Sequence, residues 1–137
     1  MIELIHNSSL LQDDIFDSAL LRRNKKTAHL IYGEKKAILT PVFLTSICGE
    51  LIEEIGENVL FEYFYEMIND LTQGEILQSK ISSETENEIL LNNLALKTYF
   101  KTASLMDNGS KGIALICGQH ELIDLFSQLG SSIGMFF

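Results

Sequence analysis

The sequence predicts an all-α fold, and three observations carry that expectation. Apolar residues recur at helical spacing, most clearly in Leu60, Phe64, Met67, Ile68 and Leu71, which fall at i, i+4, i+7, i+8 and i+11. No stretch alternates apolar and polar residues as a half-buried strand does. Helix punctuation stands where the apolar stripes end or begin: Gly56 as a stop, Asn108-Gly109 as a break, and Ser83 with Glu86 as a capping box.

The elements follow in order. Leu4, Leu10, Leu11, Ile15 and Phe16 form a rough helical stripe, and this first helix is expected to end near Arg22 to Asn24. A polar connector runs to Gly33. A second helix starts at Glu34 and heads towards Gly49, with Pro41 expected to kink or interrupt it. Leu51 to Ile55 continue the apolar pattern up to Gly56. The stripe through Leu60 and Leu71 is the third helix, and the capping box at Ser83 opens a fourth. Asn108-Gly109 breaks that helix or separates it from the next. The last helix carries Leu122, Leu125, Phe126, Leu129, Ile133 and Phe136 on one face.

Composition narrows the function. A length of 137 residues suits one domain, here residues 1–137, with 46% hydrophobic and 21% charged residues, which excludes a disordered chain. The formal net charge of -9 argues against nucleic acid as a partner, because phosphate backbones are held by surplus cations. No apolar run is long enough for a transmembrane segment, and Met1-Ile2-Glu3 lacks a basic signal-peptide start. Cys48 and Cys117 sit in apolar helical runs and read as buried free thiols of a reducing, cytoplasmic compartment. Both ends read as cut. The chain starts inside an apolar stripe and stops at Gly134-Met135-Phe136-Phe137 without a polar cap. A piece of a larger helical protein would look like this, and so would a short protein whose ends dock into a partner subunit.

The charges are unevenly placed. Six of the ten cations, Arg22, Arg23, Lys25, Lys26, Lys35 and Lys36, fall in one 15-residue window, just after Asp13, Asp14 and Asp17. Asp13 and Asp17 share a helix face, with Asp14 about 100° round. Like charges at i, i+4 repel by a few tenths of a kcal/mol, roughly, even when exposed, and a divalent cation removes that repulsion. Mg²⁺ suits the arrangement, since it takes one or two carboxylates plus waters and phosphate oxygens. Arginine matches phosphate bidentately, so Arg22 and Arg23 beside the carboxylates suit a diphosphate group. A solvated acidic face followed by a solvated basic loop gives the same pattern.

The stretch Ile5-His6-Asn7-Ser8-Ser9-Leu10-Leu11-Gln12-Asp13-Asp14-Ile15-Phe16-Asp17, then Arg22-Arg23, resembles the first aspartate-rich (DDxxD) motif of the trans-polyprenyl diphosphate synthase family. Thr27-Ala28-His29 to Gly33 fits the connector after the arginines, and Gly74-Glu75-Ile76-Leu77-Gln78 resembles the family's Gly-Glu-x-x-Gln segment. Lys101-Thr102-Ala103-Ser104-Leu105 resembles its Lys-Thr motif. Gly130 and Ile133 to Phe137 resemble the helix leading into the second aspartate-rich motif. That second motif is absent, as is the N-terminal Gly-Lys-x-x-Arg segment; Pro41-Val42 stands where the family usually has Gly-Asp, and Gln12 where a second His is common.

The resemblance implies an antiparallel helical bundle of the isoprenoid-synthase type, incomplete at both ends, that pairs into a homodimer. It implies a prenyltransferase condensing isopentenyl diphosphate with an allylic prenyl diphosphate, dependent on Mg²⁺. Asp13 and Asp17 would bind the metal, with Asp14 supporting. Arg22 and Lys101 would contact the allylic diphosphate, and Thr102 and Gln78 would line the same cavity. Arg23 and His6 would contact isopentenyl diphosphate. Ser8 and Ser9, one turn before Asp13, are small and would leave the product path open for a long-chain product; alternatively they serve only close helix packing. Lys97-Thr98 is a decoy Lys-Thr pair, and His29 and His120 have no ligand-spaced partners and read as structural. Two other classes share parts of the pattern: a non-catalytic helical subunit that pairs with a complete synthase, and a terpene-cyclase-like protein.

Overall fold

The computed structural model describes residues 1–81 and 87–137, and side chains outside 80–90. The chain divides into two compact units, Met1–Gly56 and Glu57–Phe137. It is helical almost throughout, as the stripes predict.

The first unit holds helices α1 (Ile2–Phe16), α2 (Ala28–Tyr32) and α3 (Glu34–Ile55), with strands β1 (Leu21–Arg22) and β2 (Lys25–Lys26) between α1 and α2. Helix α1 ends six or more residues earlier than its apolar pattern suggests. The Ser18 and Ala19 N–H groups donate back to the Ile15 and Asp14 carbonyls at 3.1 and 3.0 Å, a Schellman end. Ser18 occupies the left-handed position at φ 50, where glycine is usual. Thr27 secures the exit: its hydroxyl donates to the Ala19 carbonyl at 2.7 Å and its N–H to Leu20 at 3.3 Å. The segment read as a polar connector is therefore a hairpin and a short helix. Arg23 and Asn24, at φ 49 and 63, are the two-residue turn, and both positive values meet the requirement of a type I′ hairpin. Leu21 pairs with Lys26 and Arg22 with Lys25.

Helix α3 runs unbroken through Pro41, contrary to the expected interruption. A proline inside a helix costs about 3 kcal/mol. Here it is buried where α3 packs on α1, beside a shared core of Ile5, Ala37, Cys48 and Ile52. Burying each large apolar side chain contributes roughly 1.5–3 kcal/mol, so the packing outweighs the missing hydrogen bond. The Pro41 carbonyl also accepts the Ser8 hydroxyl at 3.1 Å and the Thr45 hydroxyl at 2.9 Å. Gly56, at φ 80, closes the helix as expected.

The second unit holds α4 (Val59–Ile81), α5 (Asn87–Thr98), a π turn (Tyr99–Ala103), α6 (Ser104–Ile116), a 3₁₀ turn (His120–Leu122) and α7 (Ile123–Phe136). Leu60, Phe64 and Met67 of the α4 stripe are buried. The expected capping box at Ser83 and Glu86 lies outside the described residues. Asn108-Gly109 does not break a helix; both residues are buried inside α6. Asn108 satisfies itself there by donating its side-chain amide to the Ser104 carbonyl at 3.2 Å. Helix α6 instead stops at Gly118, φ 69, with the Gln119 N–H on the Ala114 carbonyl at 2.8 Å. Cys48 is buried, but Cys117 at that helix end is exposed, which corrects its expected burial.

Helix α7 packs by its smallest residues. Gly130 and Gly134 are its buried positions, one turn apart on one face. A Cβ on Gly134 would overlap the Ala103 backbone, and one on Gly130 would overlap the Met106 carbonyl and lie 2.6 Å from the Ser110 hydroxyl. The apolar stripe Leu122, Leu125, Leu129, Ile133 and Phe136 is left exposed, Phe136 to 94%.

Two glycine substitutions should therefore move stability in opposite directions. Gly134→Ala forces backbone apart and is expected to lower stability by about 1–3 kcal/mol. Gly49→Ala, inside α3 with nothing within 4 Å of the added Cβ, should raise it by about 0.5–1 kcal/mol. Denaturant midpoints measure both, and a Gly134→Ala midpoint at or above wild type would contradict the packing.

Candidate functional site

The first unit gathers carboxylates at one helix end. Asp13 and Asp17 lie seven and eleven residues after His6, so all three share a face of α1 to within about 20° either side. Asp13 is half-buried, and Asp17 is exposed as the C-cap. The C-terminal end of a helix carries partial negative charge, and no basic residue occupies the last turn of α1. The helix end thus adds its partial negative charge beside the Asp17 C-cap. Hard oxygen donors in that field suit a cation such as Mg²⁺ or Ca²⁺. Among the described residues no three His, Cys, Asp or Glu side chains converge to hold a metal, so Asp13 and Asp17 offer a pair of ligands at most. Mg²⁺ commonly keeps several waters and needs no more than one or two protein carboxylates.

Asp14 faces another way. It is buried, and the Arg22 Nε donates to its Oδ1 at 2.7 Å. The second aspartate of the motif therefore holds the first arginine, while that arginine stays partly accessible on β1. Arg23 is exposed at the hairpin tip, in a left-handed conformation that is unfavourable for a side chain bearing a Cβ. Ser9 is half-buried about 40° from Asp13 on the helix wheel and donates its hydroxyl to the His6 carbonyl at 2.9 Å. Ser8 lies about 140° from Asp13 on the same wheel, and its hydroxyl is taken up by Pro41 on α3.

In the second unit, α4 and the π turn meet at Gly74. A Cβ there would lie 2.6 Å from the Lys101 Cγ and 3.1 Å from its backbone N. With no Cβ, the turn can sit directly on α4, and the Lys101 Nζ reaches Glu75 Oε2 at 2.6 Å and Gln78 Oε1 at 3.1 Å. The structure thus brings together Gln78 and Lys101, and the Lys101 side chain is only 18% exposed. Thr102 is half-buried in the same turn, and Lys97 sits in the last turn of α5.

Glu75 has no role in the sequence motif, although its i, i+3 spacing to Gln78 puts both on one side of α4. A second cluster escaped the sequence reading altogether. Buried Asp107 accepts the Tyr99 hydroxyl at 2.9 Å and the Ser127 hydroxyl at 2.6 Å, with Lys111 Nζ at 3.3 Å. Lys111 also lies 3.7 Å from Glu66. Only the i, i+4 spacing of Asp107 and Lys111 hinted at this; Tyr99 and Ser127 arrive from other elements. Burial pushes the Asp70 carboxyl up, Glu66 adds to the shift and Lys111 opposes it. Burial, then the hydrogen bond to Asp107, pushes the Tyr99 phenol up to about 12.

The helical fold is that of the isoprenoid synthases. It superposes on a decaprenyl diphosphate synthase from Rhodobacter capsulatus with a TM-score of 0.89 at 23% identity, covering 98% of this chain and 41% of that one. The sequence profile of the polyprenyl synthetase family matches residues 1–137, and the chain belongs to that family of enzymes. It is 37% identical to an all trans-polyprenyl-diphosphate synthase of Homo sapiens over 136 residues, 98% of this chain and 32% of the relative. A polyprenyl synthase from Caulobacter crescentus, solved with calcium and isoprenyl diphosphate, is 28% identical with a TM-score of 0.82, covering 98% of this chain and 39% of that one. The chain spans about a third of the length of the curated relatives it matches. No helix among the described residues is long and apolar enough to cross a membrane.

The Tyr99 shift has a defined pH consequence. Its folded value lies above the ordinary 10, so the stability it contributes is fully present below pH 10 and is lost as pH rises towards about 12. The phenolate absorbance missing from Tyr99→Phe should titrate near pH 12, and a midpoint at 10 would contradict the buried pair.

Proposed function

We propose that this chain is the central part of a single all-α synthase domain that condenses isopentenyl diphosphate with an allylic prenyl diphosphate, giving a long-chain all-trans polyprenyl diphosphate. The observation that carries this is the carboxylate pair at the negative end of α1, next to an arginine already held by Asp14. Asp13 and Asp17 hold Mg²⁺, which when bound neutralises diphosphate charge; the calcium and isoprenyl diphosphate of the Caulobacter crescentus structure support divalent-metal use. Arg22 binds the allylic diphosphate and is aimed by Asp14. Lys101 binds diphosphate, with Gln78 and Thr102 in its surroundings. Arg23 and His6 contact isopentenyl diphosphate.

In the reaction the allylic C–O bond breaks and the electron pair leaves with diphosphate. The isopentenyl double bond attacks the allylic cation, a C–C bond forms, and loss of a proton restores a double bond. Cationic side chains stabilise the departing charge and fix both substrates, and apolar surroundings exclude water, which would capture the cation. Homodimer formation and cytoplasmic residence belong to this reading. The exposed apolar residues of α3 and α7 support the former. The buried Cys48 thiol fits the latter, although relatives include a chloroplastic solanesyl-diphosphate synthase from Oryza sativa.

Calorimetric titration with inorganic diphosphate tests the binding claim. Diphosphate should bind only with Mg²⁺ present, and Asp13→Ala or Asp17→Ala should weaken it at least about tenfold, the equivalent of one charge-assisted contact. Equal binding in EDTA would overturn the reading. The 137 residues alone should bind without turning over, so steady polyprenyl product from them would contradict the partial assignment.

Product length gives a second test. In a chain of the relatives' length, Ser9→Phe should shorten the product, because Ser9 shares the Asp13 face of α1. Ser8→Phe must first displace α3 and should lower the melting temperature as well. An unchanged product from a folded Ser9→Phe enzyme would show that another residue sets the length.

A further inference from the structure

The π turn that carries Lys101 is held at three points. Gly74 on α4 admits Lys101 from one side, and Gly134 on α7 admits Ala103 from another. These contacts are steric: they set how closely the turn approaches but give it no direction. The third point is directional. Tyr99 opens the turn, and its hydroxyl donates to Asp107 Oδ2 at 2.9 Å. Asp107 is itself fixed, since Ser127 of α7 donates to its other oxygen and Lys111 stands beside it. A hydrogen bond to an ionised acceptor is stronger than one between neutral groups. A π turn is an uncommon conformation found mostly at functional sites, and it persists only where its surroundings hold it. Tyr99 and Lys101 are two residues apart, so rotation of the turn about its axis would move both.

We propose that Asp107 and Tyr99 are positioning residues: they fix the register of the π turn and thereby keep the Lys101 ammonium against Glu75 and Gln78, ready for a diphosphate ligand. This rests on the diphosphate reading above for the ligand, but not for the anchoring of the turn. Neither residue is among those proposed above to contact substrate. Nothing in the recognised Lys-Thr segment contains Asp107, which lies six residues beyond Lys101.

The test combines two measurements on Tyr99→Phe, which removes one hydroxyl and keeps the ring against Phe100. Amide hydrogen exchange over residues 99–103 should quicken about three- to tenfold, the equivalent of one hydrogen bond. The affinity for inorganic diphosphate with Mg²⁺ should fall by a similar factor, and should fall no further when Tyr99→Phe is added to Lys101→Ala. A merely structural loss would weaken both backgrounds alike. Asp107→Asn, with its shape retained, should reproduce both effects. Unchanged exchange in both variants overturns the anchoring. Faster exchange with wild-type affinity overturns the link to Lys101. If Lys101→Ala itself binds diphosphate like wild type, the functional reading fails, and the anchoring is decided by exchange alone.

Discussion

The second unit depends on two places where a side chain is missing. At Gly74 and Gly134 the backbones of α4 and α7 come so near the π turn that a single methyl group would overlap it. Close approach of this kind converts small residues into geometry: α4 can then offer Glu75 and Gln78 to Lys101 at hydrogen-bond distance, and α7 can offer Ser127 to Asp107. A lysine on an ordinary exposed helix keeps a flexible four-carbon stem and a mobile charge. Here the stem is confined and the ammonium is tied to Glu75 and Gln78, so the charge proposed for a diphosphate is already in place. The polar groups drawn inside with it are satisfied mostly by one another, which is the condition for burying them without loss of stability.

The first unit solves a related problem by ending a helix early. The Schellman end at Ser18 stops α1 just after its acidic residues, so that Asp13 and Asp17 stand at the negative pole. Oxygen donors at that pole are the ones the proposed cation would use. The hairpin that follows returns Arg22 to Asp14, so this aspartate of the three is the one that aims a guanidinium. The departures from standard turn chemistry, Ser18 and Arg23 at positive φ, lie on either side of this arginine. Backbone strain of this kind persists where surrounding structure enforces it, and Thr27 supplies that enforcement through Ala19 and Leu20.

Local signals in the sequence carried far. The α4 stripe and the stop at Gly56 were legible because each rests on spacing within a few turns, and the resemblance already placed Gln78 and Lys101 near one another, where they meet at 3.1 Å. What escaped depends on tertiary contact. Pro41 and Asn108-Gly109 read as breakers, yet both are buried where packing outweighs propensity. The apolar stripe of α7 was legible as one face, but nothing in its spacing marks Gly130 and Gly134 as the residues that pack while the leucines stay outside. The Arg23-Asn24 turn lacks the glycine that normally announces a hairpin. Asp107 drew no notice because its partners Tyr99 and Ser127 lie in other elements. Ser8 and Ser9 looked equivalent as neighbours in sequence, but the helix turns them to different sides.

We propose that the acidic end of α1 is a metal-diphosphate site. Crystals grown with Mn²⁺ and inorganic diphosphate test it most directly, because the metal's anomalous scattering marks its position without reference to activity. The expected result is a metal bound by the carboxylates of Asp13 and Asp17, completed by water and diphosphate oxygens, with a diphosphate oxygen within hydrogen-bond distance of Arg22 and the Asp14–Arg22 pair intact. A metal bound through Asp14, or diphosphate held elsewhere with no metal on α1, would contradict it.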